Sequence, residues 1–91
     1  MDRFLIESPH SPEDCRRVVK MTYALGYLNN FDWGCEGGDH KAWAVIEADD
    51  EKQALWSVPV LIRGKARAIR LVKFDPKMVE EWKEEEQPAK S

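Results

Sequence analysis

No segment of the sequence is long and apolar enough to cross a membrane. The run 58–62 is among its longest apolar stretches and contains Pro59, whereas a membrane-spanning helix needs about 20 apolar residues. The segment from Met1 to Glu7 also lacks a basic region followed by a long apolar stretch, which is the pattern of a secretory signal peptide. We therefore expect no signal peptide and no membrane partner.

Cysteine and histidine are scarce, with two residues of each. Cys15 and Cys35 form no CxxC pair and are too few for a disulfide framework. Unpaired thiols are typical of a reducing compartment, so the sequence predicts a cytoplasmic protein. An excess of positive charge is absent too, because the formal net charge is −3. This charge excludes proteins that coat nucleic acid through a strongly basic surface.

The composition is that of a small globular protein. Of the 91 residues, 43% are hydrophobic and 34% are charged, and four are tryptophan. We predict one domain over residues 1–83 and a charged, flexible tail over residues 84–91. A domain of this size buries only about 60–65% of the surface of its unfolded chain. Dimerisation would stabilise it, because it buries further apolar surface.

The first half of the chain predicts a strand, a helix and a hairpin. Residues 4–7 are aromatic and aliphatic, which indicates the first strand. A serine-proline pair at 11–12 predicts the start of a helix, which ends before Gly26. Apolar side chains recur along it at helical spacing, at Cys15, Val18, Val19, Thr22 and Leu25. Paired glycines in the turn 36–39 predict a hairpin over 31–48.

The second half predicts a helix, a strand and a last helix. Asp50 and Gln53 have the spacing of a capping box, which begins the second helix, and Pro59 ends or bends it. Residues 65–74 indicate the fourth strand, and the aspartate-proline pair at 75–76 predicts the last helix. The resulting order is βαββαβ with a C-terminal helix. We therefore predict an α+β, ferredoxin-like domain, with an antiparallel sheet and helices on one face.

The predicted third strand carries apolar residues on both of its faces. Ala44 and Ile46 lie on one face, while Trp43 and Val45 lie on the other. A strand with one solvated face would instead be polar on that side. We therefore expect the second face of the sheet to be buried as well, against a second copy of the chain. The predicted partner is a homodimer mate.

The segment WAVIEADDEKQAL at 43–55, which follows a glycine-rich turn, resembles a segment of small bacterial and archaeal proteins of the dimeric α/β-barrel superfamily. In those uncharacterised families a strand ends in an acidic segment that leads into a helix. The resemblance in length and element order extends over residues 3–74. It implies a dimeric α/β barrel, in which two sheets meet face to face. It implies no catalytic residue.

The resemblance leaves three functions open. Members of the superfamily include ligand-sensing domains, isomerases and monooxygenases, and the fold alone does not choose among them. We expect a ligand-binding or regulatory module with a small-molecule ligand. One alternative is a small enzyme of the isomerase or monooxygenase type, cofactor-free or metal-dependent, with Glu47 or His40 as its base. The other alternative is a structural protein that binds a partner.

One edge of the predicted sheet gathers residues that are suited to bind a metal ion. The end of the first strand and the turn of the hairpin share that edge, which brings His10, Cys35 and His40 together. Across a four-residue turn, Cys35 and His40 would face each other with Cβ atoms about 5 Å apart. A thiolate and imidazoles are ligands of zinc. The hypothesis is a divalent-metal site at these three residues, and the alternative is a protein with no cofactor.

A second candidate site lies on the second face of the sheet. Glu7, Trp43 and Glu47 share that face if the first and third strands pair in simple register. A carboxylate that packs against an aromatic side chain can have a raised pKa and act as a general base. This arrangement predicts a ligand-binding site. The alternative is that Trp43 packs in an interface, while the glutamates lie at its rim or bind Arg67.

Basic residues are concentrated around the fourth strand, at Arg63, Lys65, Arg67, Arg70 and Lys73. Because the chain is acidic overall and Phe74 is the only aromatic residue nearby, we interpret them as protection of an edge strand and expect no nucleic-acid partner. Free N–H groups near Ser11, together with Arg63 and Lys65, are also compatible with an anion site. The alternative is that Ser11 simply begins a helix.

Overall fold

The structure, a computed structural model, describes residues 1–82. The strands are β1 (Asp2–Pro9), β2 (Phe31–Trp33), β3 (Lys41–Ala48) and β4 (Arg67–Leu71). The α-helices are α1 (Cys15–Leu25), α2 (Glu51–Ala54), α3 (Val60–Arg63) and α4 (Pro76–Glu80). Short 3-10 turns occur at Pro12–Asp14, Leu28–Asn30, Cys35–Gly37 and Leu55–Ser57. The tail predicted over 84–91 lies outside the described residues.

The four strands form one sheet in the order β2-β3-β1-β4. All of their pairings are antiparallel. The central strands β1 and β3 pair over their whole length, from Asp2 opposite Ala48 to Pro9 opposite Lys41. The prediction of an α+β chain with an antiparallel sheet is confirmed.

The core lies between one face of this sheet and the helices. Alternate residues of β1 point into it, so that Phe4 and Ile6 are fully buried. Val18 of α1, Ala54 of α2 and Ile62 of α3 pack against the same face. The other buried apolar residues are Phe31, Ala42, Ala44, Ile46, Ala48 and Val58. Four of these eleven core residues are alanine, and each alanine buries less apolar area than a larger side chain does.

The first helix begins later than the sequence predicts. Pro12 starts a 3-10 turn, and regular α-helix begins only at Cys15. The helix ends before Gly26 as predicted, where the Gly26 N–H donates to the carbonyl oxygens of Thr22 and Tyr23. Leu25 is exposed rather than part of the packed face. The last turn of α1 therefore extends beyond the edge of the core.

The predicted second helix is interrupted. The α2 helix ends at Ala54, where the Ser57 hydroxyl donates to the Ala54 carbonyl oxygen. Val58 is extended, as a residue before proline tends to be, and α3 begins after Pro59. Short helices result, and none in the described part of the chain is long and apolar enough to cross a membrane.

The fourth strand is shorter than the predicted range 65–74. It is an edge strand that pairs only with β1, from Arg67 opposite Glu7 to Leu71 opposite Arg3. The strand β1 extends beyond β4 at both ends, since Asp2 and Ser8 have no partner in β4. The ends of β4 are therefore not set by the length of its neighbour.

The turn between β2 and β3 has no room for a side chain at Gly34. A Cβ atom there would lie 2.7 Å from the Asp39 carbonyl oxygen and 2.9 Å from Cζ3 of Trp43. We expect Gly34→Ala to lower the free energy of unfolding by about 1–3 kcal/mol, because the turn must shift to relieve the overlap. Urea denaturation measures this loss.

Gly37→Ala is the matched control for Gly34→Ala. No atom lies within 4 Å of a Cβ built at Gly37, so this variant should unfold within about 0.5 kcal/mol of the unmodified chain. Equal destabilisation by both substitutions would contradict the steric explanation.

Candidate metal centre

Four side chains converge at the end of the sheet where β1 ends and β3 begins. His10 directly follows β1, and His40 directly precedes β3. The His10 N–H donates to the His40 carbonyl oxygen at 3.0 Å, which extends the β1–β3 ladder by one bond. Cys15 is the first residue of α1, and Cys35 begins the 3-10 turn after β2. Four separate chain segments therefore each supply one side chain.

The hairpin that carries Cys35 differs from its prediction. The β2 strand ends at Trp33, which pairs with Ala42, and Cys35 lies in a 3-10 turn rather than opposite His40 in a strand. The cause is Gly34, whose N–H makes the last hydrogen bond to β3 at 2.9 Å before the chain turns away. The predicted proximity of Cys35 and His40 survives, but the turn creates it instead of strand pairing.

The donor atoms of the four side chains lie within 4.8 Å of one another. The Sγ atoms of Cys15 and Cys35 are 3.1 Å apart, and His10 Nε2 is 3.2 Å from Cys35 Sγ. The rings of His10 and His40 stand edge to face with centroids 5.9 Å apart. The ligand atoms of a tetrahedral zinc ion are about 3.3–3.8 Å apart, given its bond lengths. The cluster thus needs only small side-chain adjustments to surround such an ion.

The sequence-based prediction identified three members of this cluster and missed Cys15. The periodicity of α1 assigns Cys15 to the apolar face of a helix, where a thiol is a small apolar side chain. One signal was present: four residues separate His10 from Cys15, and four separate Cys35 from His40, in mirrored order. Together these residues are every cysteine and histidine of the chain. Glu36 and Asp39, the acidic residues of the turn 36–39, are exposed and lie outside the cluster.

Burial keeps two members of the cluster uncharged at neutral pH. It lowers the pKa of His10, and the neighbouring His40 lowers that pKa further, while Asp14 opposes the shift. Burial also raises the pKa of the Cys35 thiol to about 11, with a further contribution from its hydrogen bond with Cys15. Neutral imidazole is the form that binds a metal. A metal ion must displace the proton of the thiol, since the thiolate is the ligand.

Two imidazole nitrogens in the centre lack partners. Nδ1 of His10 and Nδ1 of His40 are buried and have no hydrogen-bond partner within residues 1–82. Leaving a buried polar atom unpaired costs about 1–3 kcal/mol. The Trp33 ring stands edge to face with that of His10, with centroids 6.0 Å apart. A bound metal ion is a known partner of such atoms, and the residues present fit one.

Two clefts open beside the centre. One, which we call the thiol cleft, has a volume of about 330 Å³ and is lined by Cys15, Val19, Trp33, Cys35 and Glu36. The other, about 360 Å³, is lined by Pro9, His10, Ser11, Asp14, Leu61, Ile62 and Lys65. Ser11 and Lys65 of the predicted anion site thus share a cleft. Arg63 instead donates from Nε to the Val58 carbonyl oxygen at 2.9 Å.

The second predicted site is open and ion-paired. Register places Glu7 opposite Trp43, and Glu47 follows on the same face of β3. Glu7 accepts from Arg67 Nε at 2.9 Å and lies 3.4 Å from Lys41 Nζ. Arg67 and then Lys41 lower the pKa of Glu7, which is opposite to the raised pKa that a general base requires. The alternative interpretation, that Glu7 binds Arg67, describes this carboxylate.

Comparison with known proteins assigns no family. The chain matches no family model, no curated protein and no solved structure. The functional conclusion therefore depends on the geometry of the centre.

The ion pairs of Glu7 predict a pH-dependent contribution to stability. Because its pKa is lowered from 4.5, the folded state is stabilised above that pH, and the contribution is lost as the pH falls through the lower, folded-state value. We expect Glu7→Gln to lower the free energy of unfolding at neutral pH. Its difference from the unmodified chain should shrink at about pH 3, as measured by urea denaturation across this range.

Glu47→Gln provides the control for Glu7→Gln. Glu47 is an exposed carboxylate on the same face and makes no ion pair with any residue of the described part of the chain. Its substitution should leave the pH dependence of stability unchanged. A Glu7→Gln difference that is independent of pH would refute the ion-pair explanation.

Proposed function

We propose that this chain is a zinc-binding module that holds one ion between His10, Cys15, Cys35 and His40. The observation that carries the proposal is the convergence of every cysteine and histidine of the chain on one point, although they come from four separate segments. Ordinary packing gives no reason for all of these side chains to meet. The expected ligand-binding module thus has a metal ion as its ligand.

The donor set favours zinc over other common ions. Two sulfur and two nitrogen donors form the Cys₂His₂ set of structural zinc sites, whereas calcium and magnesium prefer oxygen. The exposed carboxylates of Glu36 and Asp39, in the turn between Cys35 and His40, do not belong to the cluster. Copper competes for thiolate and imidazole ligands, so the proposed preference for zinc also depends on tetrahedral geometry.

Four protein ligands favour a structural role over a catalytic one. Catalytic zinc sites keep a coordination position open for water or substrate, and four ligands fill a tetrahedral ion. An ion at this point joins the end of β1, the start of α1 and the turn before β3. Its role is to stabilise a chain whose core is small and rich in alanine.

The reduced, metal-free chain should bind one zinc ion per molecule. Cobalt is a spectroscopic probe of the same site, and we expect thiolate charge-transfer bands and the bands of tetrahedral cobalt, which excess zinc removes. Cys15→Ser and His40→Ala should each weaken zinc binding by more than about 100-fold, because loss of an outer-shell partner alone costs about 10–100-fold. Competition with a chromophoric chelator measures the affinity.

Glu36→Gln is the control for zinc binding, because Glu36 lines the thiol cleft but is not a member of the cluster. This variant should bind zinc as the unmodified chain does. Zinc at about 100 times its Kd should also raise the free energy of unfolding by about 2.7 kcal/mol. No cobalt spectrum, or the same affinity in the cysteine and histidine variants, would refute the proposed site.

We also propose that the open face of the sheet joins a second copy of the chain. The β2-β3-β1-β4 order supports the ferredoxin-like assignment. On the open face, Leu5 lies opposite Val45 on one side and opposite Ile69 on the other. This apolar row crosses three strands, and Val45 and Ile69 are 49% and 38% exposed. A second copy supplies a matching apolar row. Contact between the two rows buries apolar surface that a single small domain leaves exposed to water.

Val45→Lys should convert the dimer into a monomer, because it buries an unpaired charge at the centre of the interface. Sedimentation velocity over a range of concentrations detects this change. Val60→Lys is the control, since Val60 is 72% exposed on α3, away from the open face. An unmodified chain that stays monomeric at every concentration would refute the dimer and leave the zinc site untouched.

A further inference from the structure

The two thiols of the centre are close enough to react with each other. Their Sγ atoms are 3.1 Å apart, and a disulfide bond is about 2.05 Å long, so closure requires a movement of about 1 Å. Both cysteines are free and partly exposed, and both line the thiol cleft. Its volume of about 330 Å³ easily admits a molecule of the size of hydrogen peroxide, since water occupies about 30 Å³ in the liquid.

We propose that Cys15 and Cys35 are a redox-active pair, which a peroxide oxidises to an intramolecular disulfide with release of the bound metal ion. The release of metal rests on the proposed zinc function. The disulfide itself rests only on the distance between the sulfur atoms and on their access to the cleft.

The oxidation proceeds in two displacements. One thiolate attacks an oxygen of hydrogen peroxide, which breaks the O–O bond, forms a sulfenic acid and expels hydroxide. The second thiolate attacks the sulfenic sulfur, which forms the S–S bond and expels the second hydroxide. Two electrons pass from the sulfur atoms to the peroxide. Zinc remains Zn²⁺ and leaves, because two of its four ligands are now bonded to each other.

The local structure allows the sulfur atoms to approach without disturbing the sheet. Cys35 lies in a turn that is bounded by Gly34 and by Gly38, whose φ is +93°. Cys15 begins α1, so it follows a 3-10 turn and not a packed helical turn. Neither cysteine belongs to a strand. The small movement required therefore falls on the turn at 35–38 and on the start of α1.

The test uses the full chain, first reduced and loaded with zinc, then treated with hydrogen peroxide. We expect release of one zinc ion per chain, measured with a chromophoric chelator, in parallel with loss of both thiols to maleimide labelling. The mass of the intact chain should be lower than that of the reduced, metal-free chain by the mass of two hydrogen atoms. A thiol reductant should then restore both thiols and the binding of zinc.

The metal-free chain and two variants complete the test. Peroxide should form the same intramolecular disulfide in the metal-free chain, but more slowly at neutral pH, because burial raises the pKa of the Cys35 thiol to about 11 and the thiolate is the nucleophile. Cys15→Ser and Cys35→Ser each retain one thiol, which should proceed only to a sulfenic acid or to a disulfide between two chains. Non-reducing electrophoresis separates such linked chains from the intramolecular product.

Failure of this inference and failure of the zinc proposal give different results. Zinc that binds and then stays bound, with both thiols intact after peroxide, would overturn the redox pair and leave the zinc site standing. A reduced chain that takes up no zinc would overturn the zinc site. Loss of both thiols of that chain to maleimide labelling after peroxide would still support the redox pair, and two intact thiols would overturn it. Disulfides only between chains would overturn the pair in every case.

Discussion

The pairing of β1 with β3 is the constraint on which the rest of the structure depends. It joins residues 2–9 to residues 41–48 in one continuous register, and the bond from the His10 N–H to the His40 carbonyl oxygen extends it. This register directs Phe4 and Ile6 into the core and leaves Leu5 on the open face. A slip of one residue would exchange the two faces. It would also separate the two histidines, so the core and the metal centre depend on the same pairing.

The candidate metal centre lies at one end of the sheet, beyond the buried apolar residues of β1. Ser8 is a buried residue near the end of β1, and the buried His10 directly follows the strand, so both lie beyond its buried apolar positions. Around them the chain makes turns rather than extended ladders, and the nearest core positions on β3 are alanines. Each alanine removes less apolar surface from water than a larger side chain does. The proposed metal ion would supply cross-links at this end that packing alone does not.

Much of the fold could be predicted from the sequence, because its signals are local. The aromatic and aliphatic residues at 4–7, the capping pair Asp50 and Gln53, and the glycine at 26 predict elements that hold in the structure, although α1 begins at Cys15 and not at Pro12. The break in the second helix is local as well, since the Ser57 hydroxyl donates to Ala54 three residues earlier and Pro59 follows. The turn that carries Cys35 is instead a tertiary effect, because it begins where the Gly34 N–H makes its last hydrogen bond to Lys41 of β3, and periodicity does not contain such contacts. Cys15 was missed for the same reason. Helical spacing does not distinguish a thiol that packs on the apolar face of α1 from a thiol that faces Cys35 at the start of the helix.

The proposed metal-bound and oxidised states exclude each other but share one consequence. The two sulfur atoms bind zinc as thiolates in one state, and in the other they have given two electrons to the peroxide and are bonded to each other, so the centre holds either the ion or the bond. In both states the start of α1 is joined to the turn before β3. Closing a loop of this size stabilises a chain by about 3 kcal/mol in the entropic account. Oxidation therefore changes the environment of His10 and His40 while it keeps the cross-link between the cysteines, so the chemistry of the centre can change without loss of the fold around it.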